Sequence, residues 1–322
     1  MIHKEYCGFQ YGYDKTEGYS IVPPSNDVPP ASFYKYYALN ECNVDALTNL
    51  YIYASHPNQF NDPFDCNSKL IEFRTWEDVR NWCEEKYDLV KETFINLDSS
   101  CDFCQESFRT LIYRKLGLVS LTTRYDNYQM WAMYAQNNGF CVEFDVSQFP
   151  FPKFGPFPIN YVSCIPYPIR VGEFGGNLSM LVQSNIKNDW WEYEKEWRLY
   201  IPSPEGLDMK SFGNEYQMSL YNFGDEHDRK FRYPISAIKR IILGFNFFER
   251  LSCNPISPEE IDVVCMPEKN QLELRLLDFL ARTNCRINYS VMLAQLNDFN
   301  SYQFNPVTIL KYADYKFRII ER

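Results

Sequence analysis

Hydrophobic and polar positions change period repeatedly along the chain, and those changes predict its elements. FYKYYAL (33–39), YIYAS (51–55), LVSLTT (118–123) and FCVEFD (140–145) are short, aromatic and β-branched, as strands are. In FCVEFD, Phe140, Val142 and Phe144 face one way and Cys141, Glu143 and Asp145 the other. PINYVSCI (158–165), EKEWRLYI (194–201), AIKRIILG (237–244) and EEIDVVCM (259–266) read as further strands. Helical spacing predicts helices over 75–94 with Thr75 as cap, over 106–117 with Gly117 as stop, over 177–188 and over 272–282. Asp126 is placed to cap a helix over 127–138, with Gln129 completing a capping box and Gly139 as its stop.

The expected fold is α+β, with mixed or antiparallel central sheets flanked by helices. Three regions are expected. Residues 1–32 are expected to form an extended arm: IVPPSNDVPPAS (21–32) is extended and irregular, and the tyrosines before it dock on the body. Residues 33–268 form the core domain. Residues 269–322 form a helical extension packed on it, although the last forty residues carry little readable pattern. No internal repeat is visible.

Composition narrows the function. The 322 residues carry a formal net charge of −10, a poor balance for nucleic acid or anionic membranes. The opening MIHKEYCGFQYGYDK is polar and no apolar run reaches bilayer length, so a cytoplasmic chain with no membrane partner is expected. Eleven cysteines at irregular spacing point to reduced thiols. Only Cys101 and Cys104 form a CxxC, and the three histidines are far apart in sequence, so no metal is expected.

Three segments carry candidate chemistry. A strand over 194–201 places Trp197, Leu199 and Ile201 on one face and Glu194, Glu196, Arg198 and Tyr200 on the other. Carboxylates two residues apart on a strand lie about 6.6–6.8 Å apart, and a guanidinium beside them can hold one by a bidentate pair. Trp190, Trp191, Tyr193 and Trp197 surround them. The competing interpretation is a solvated strand face. In the second segment, Asn127, Trp131 and Tyr134 form one helical stripe: either plain core or an aromatic floor for a planar ligand. In the third, FNDPFD, Phe60 and Phe64 anchor a loop whose Asx turns and Pro63 make it rigid. It either simply turns or presents Asn61, Asp62 or Asp65 to a ligand.

FYKYYAL, FNDPFDC, MWAMYAQNNGFCVEFD, INYVSCIPYPI, IKNDWWEYEKEWRLYI and IKRIILG occur in the order that resembles the bacterial family catalogued as domain of unknown function 2971, over residues 33–265. That family has a histidine in its WxHY motif where this chain has Met133, so no role for that histidine carries over.

The order of parts also resembles, more distantly, an ADP-ribosyltransferase-like split sheet. That resemblance implies Lys35 or Tyr36 on the early strand, Tyr134 or Tyr53 as the middle aromatic, and Glu196 opening the late strand, with Glu194 as its paired glutamate. It implies NAD as substrate, Glu196, Glu194 and Tyr134 as catalytic residues, and Lys35, Tyr36, Asn61, Asp62, Trp131 and Arg198 around the nucleotide. The reaction would be ADP-ribosyl transfer to a protein or nucleic acid, or NAD hydrolysis, as in a bacterial toxin or phage-defence effector. A non-catalytic nucleotide- or peptide-binding module is the alternative. A nuclease using Asp62, Asp65 and a divalent ion is disfavoured by the charge.

Overall fold

The computed structural model describes residues 2–322, except 15–17, 26–28, 84–86, 95, 152, 166, 203–228, 285–289 and 297–300. The fold is α+β, with a large mixed sheet and flanking helices. The chain forms two compact units, each assembled from three stretches: 1–29, 53–120 and 152–230 in the first, and 30–52, 121–151 and 231–322 in the second.

Unit 1 opens with an antiparallel sheet of Ile2–Tyr6, Phe9–Asp14 and Gly18–Val22. Apart from Ile21 and Val22, the sheet lies before the stretch expected to be irregular, so the opening of the expected arm, among the described residues up to Val22, is a folded hairpin sheet. Cys7 and Gly8 both take left-handed backbone, with φ of 50° and 81°, as a two-residue hairpin of primed type requires. The docking of the arm's tyrosines is seen: Tyr6, Tyr11 and Tyr19 are buried in a core with Trp82, Phe108 and Leu118. Helices Trp76–Cys83, Tyr87–Thr93 and Leu97–Lys115 belong to this unit. The strand Leu116–Thr122 follows the last of them directly, so Gly117 lies in a buried strand and stops no helix. In sheet order, Leu116–Ser120 of that strand neighbours Glu196–Pro202, which pairs antiparallel with Phe154–Pro158. The helix expected over 177–188 ends at Gln183, and Ile186–Asn188 pairs in parallel with Asn160–Val162.

Unit 2 is built on consecutive neighbours Ser252–Ser257, Glu260–Val264, Lys316–Glu321, Tyr302–Ala313, Ser290–Leu296, Ile238–Leu243, Phe140–Phe144 and Phe33–Tyr37. Ile238–Leu243 and Ser290–Leu296 run parallel, and the other neighbouring pairs run antiparallel. All five residues of Phe140–Phe144 are buried, so Cys141 and Glu143 do not face solvent. A central strand with neighbours on both sides has no wet face when both faces are covered. Among the described residues of 269–322 there are one helix, Gln271–Asn284, and three long strands, so the expected helical extension is mostly sheet. Val307 and Ile309 alternate inward there among polar residues that hide the period.

The short helix Tyr128–Tyr134 starts one residue later than expected. Asn127, not Asp126, caps it, its side chain accepting from the amides of Gln129 and Met130. Gln136 and Asn137 supply the left-handed turn after it, with φ of 52° and 59°. Gly139 serves close approach instead: a Cβ there would sit 2.0 Å from the Tyr37 carbonyl oxygen. Among the described residues, no helix is long and apolar enough to cross a membrane.

Candidate functional site

The strand Glu196–Pro202 sends Trp197, Leu199 and Ile201 one way and Glu196, Arg198 and Tyr200 the other, and all six are buried. Glu194 is not on that strand. It ends a 3-10 turn, Asp189–Glu194, that Asn188 caps through the Trp190 amide. Lys195 then adopts φ 45°, and this left-handed step separates Glu194 from the strand while returning both glutamates to one cation.

That cation is Lys187. Its Nζ donates to Glu194 Oε2 at 2.6 Å and to Glu196 Oε2 at 3.1 Å. The short parallel pairing that sets Lys187 opposite Tyr161 fixes its position. The Tyr161 hydroxyl accepts the Glu196 amide at 2.8 Å. The ring of Trp191 lies 4.9 Å from Lys187 Nζ, within cation–π range.

Arg198 is the second cation, 0% exposed. Its Nε and Nη2 donate to Glu196 Oε1 at 2.9 and 2.7 Å. Its Nη1 and Nη2 donate to Asp65 Oδ1 and Oδ2 at 3.0 and 2.9 Å, a bidentate fork. Nη1 also donates to the Ser184 carbonyl at 2.7 Å. The Phe60 ring lies 4.8 Å from the guanidinium carbon. FNDPFD therefore contributes Phe60 and Asp65 to this network. The expected Asx turn is present, Asp62 Oδ1 accepting the Phe64 amide, and Asp62 Oδ2 is buried with no partner among the described residues; Phe64, expected to anchor the loop with Phe60, is instead exposed.

Three carboxyl groups thus meet two cations inside unit 1. Burial alone would raise the Glu196 carboxyl, but Arg198 and then Lys187 outweigh it and hold the group down at about 2. Burial would lower Lys187, yet Glu196 and Glu194 keep it protonated above its ordinary range. Burial would likewise lower Arg198, and Asp65 and Glu196 raise it. Burial pushes the Tyr161 phenol up, and Glu196 adds to this. The strand face is therefore not a solvated one.

The nominated residues fall into two sets. Glu194, Glu196, Arg198, Asn61 and Asp62 belong to unit 1, where Glu194, Glu196 and Arg198 meet; Asn61 is exposed. Lys35, Tyr36, Trp131 and Tyr134 belong to unit 2. There Trp131 is fully buried, its Nε1 donating to the Tyr125 carbonyl and its ring edge-on to Tyr36 at 5.1 Å. It is core, and no floor for a ligand. The Tyr36 hydroxyl donates to the Arg124 carbonyl, and Tyr134 is half-buried. A recess in unit 2, lined by Ile261, Val263, Leu293, Val307 and Ile319 among others, contains none of the nominated residues.

Sequence reasoning passed over Lys187, Tyr161 and the Ser184 carbonyl. The stretch QSNIKN that leads to the Asn188 cap is mostly polar, so nothing in its pattern marked Lys187 as buried. Among the described residues, no group of three or more His, Cys, Asp or Glu side chains is arranged to hold a metal ion. The chain so described is an α+β protein with a buried five-charge network in its first unit. No family model, no curated protein and no solved structure matches it.

Proposed function

We propose that this chain is a non-catalytic binding module for a nucleotide or peptide. The observation behind this reading is the saturation of Glu196. A carboxylate offers about four lone-pair sites. Glu196 receives Arg198 Nε, Arg198 Nη2, Lys187 Nζ and the Ser120 hydroxyl. A glutamate that stabilises an oxocarbenium-like centre must offer an oxygen to the ribose hydroxyl, and here the chain's own donors take those positions. The network then acts as the rigid base for its flanking segments. Phe64 adjoins Asp65, and Trp190 adjoins Trp191; at 65% and 85% exposed, both rings are available for stacking. The module works in the cytoplasm on this reading.

Calorimetry against nucleotides and short peptides tests it, with the ligand recovered intact afterwards. Heats of binding that fall on Trp190→Ala are expected. Measurable NAD consumption by the wild-type chain would sink the reading.

A second reading is an NAD-consuming transferase or hydrolase, with a protein or nucleic acid as acceptor and a role as toxin or phage-defence effector. Its support is that Arg198 and Lys187 hold Glu196 ionised, and that the Trp191 ring lies against Lys187. A ribose hydroxyl would replace one of its donors. Glu196→Gln should then slow NAD turnover at least about a hundredfold, as the loss of one preorganised contact does.

A further inference from the structure

Outside the charge network, unit 1 holds a second cluster of reactive side chains. The helix Trp76–Cys83 ends on Cys83, and the helix Leu97–Lys115 carries Cys101 and Cys104 one turn apart. Cys83 Sγ and Cys104 Sγ lie 3.6 Å apart, and neither is in a disulfide. We infer that Cys83 and Cys104 are an oxidative modification site, a thiol pair that a peroxide closes into a disulfide joining the two helices.

The geometry is close to what the bond needs. A disulfide holds its sulfurs about 2.05 Å apart, so the pair must approach by about 1.5 Å. Surrounding packing already fixes the partners, since both sulfurs sit in one core with Phe73, Val79, Trp82 and Phe108. Cys83 is the more exposed residue of the two, at 7% against 0% for Cys104, and is assigned the first oxidation.

The chemistry balances in two displacements. The Cys83 thiolate attacks one peroxide oxygen, the O–O bond breaks, and a sulfenic acid and water form. The Cys104 sulfur then attacks the sulfenic sulfur, displacing its oxygen as a second water. Two thiols lose two electrons and two protons, and one peroxide becomes two waters. The Cys83 contact and burial push the Cys104 thiol far up, and burial pushes Cys101 up to about 11, so both stay protonated at neutral pH. Closure is therefore slow and responds to sustained exposure to oxidant.

Peptide mapping of the full chain after hydrogen peroxide treatment, without reduction, tests the assignment. The expected product has lost two hydrogens and links the Cys83 peptide to the Cys104 peptide. Its Tm rises by several degrees, because the cross-link spans 21 residue steps, and dithiothreitol reverses the rise. Cys101→Ser should keep both the link and the shift. Cys104→Ser should lose both; if that variant does not fold, the wild-type map decides alone. A Cys101–Cys104 link, links scattered among exposed Cys42, Cys164 and Cys253, or Cys83 and Cys104 still reduced when the exposed thiols are oxidised would each overturn the inference.

Discussion

Replacing Arg198 by methionine tests whether the buried network is a single electrostatic unit. The guanidinium makes six hydrogen bonds: two to Glu196, two to Asp65, one to the Ser184 carbonyl and a long one of 3.9 Å to Cys66 Sγ. Methionine fills similar space but leaves the Asp65 and Glu196 carboxyls without that partner, both less than a tenth exposed. Removing one member of a buried ion pair costs about 3–5 kcal/mol, so about 4 kcal/mol is expected at pH 7. The cost should depend on pH with a definite sign. Glu196 titrates at about 2 when folded, against 4.5 ordinarily, so its contribution is present above pH 4.5 and lost as pH falls toward 2. Between pH 7 and pH 3 the wild type should lose about 2 kcal/mol through this group. Without Arg198 the folded value rises, that loss largely disappears, and the gap between the proteins narrows to about 2 kcal/mol. Urea titration read by hydrogen exchange at the strand Glu196–Pro202 measures unit 1 locally. A gap below about 1 kcal/mol at pH 7, or one that does not change with pH, would refute the electrostatic account. Arg198→Lys keeps the charge but not the planar fork, and should fall between the two.

Three further substitutions separate the roles of other residues. Tyr161→Phe removes the acceptor of the Glu196 amide and should cost about 1–2 kcal/mol by the same urea measurement; no change would mean that this contact is dispensable. Trp131→Ala should cost about 3–5 kcal/mol in thermal or urea unfolding read in unit 2, as expected of a fully buried ring. Gly139→Ala should destabilise unit 2 by about 1–3 kcal/mol, because the added methyl meets the Tyr37 carbonyl; a neutral result would show that the backbone there yields.

What the sequence disclosed follows from the range of the interactions involved. Period two identified Glu196 and Arg198 as face-mates, because strand geometry acts over two residues. It misplaced Glu194 because the left-handed turn after it is made by Lys195, a residue with no Gly or Asn signature. The missed N-terminal sheet has the same origin, with Cys7 leading the turn where Asn or Asp is the usual signal. The aromatic stripe on Tyr128–Tyr134 was ambiguous because spacing records which residues share a face and not what covers that face.

The Asp65–Arg198 fork joins residues 133 positions apart, and no local pattern encodes such a contact. Both ends were nevertheless visible separately, as a rigid acidic turn and as a charged strand face. Their meeting changes the interpretation of each. A carboxylate beside a guanidinium on a strand suggests catalysis while its other partners are unknown. Once Lys187, Ser120 and Asp65 complete the set, the same two residues become the buried tie between the FNDPFD turn and the strand. Buried charges of this kind add little net stability over a hydrophobic replacement of the whole set, but they penalise any misplacement of one member. Their effect here is to fix where Phe64 and the Asn188–Glu194 turn stand. Any ligand that depends on those segments therefore depends on the network without having to touch it.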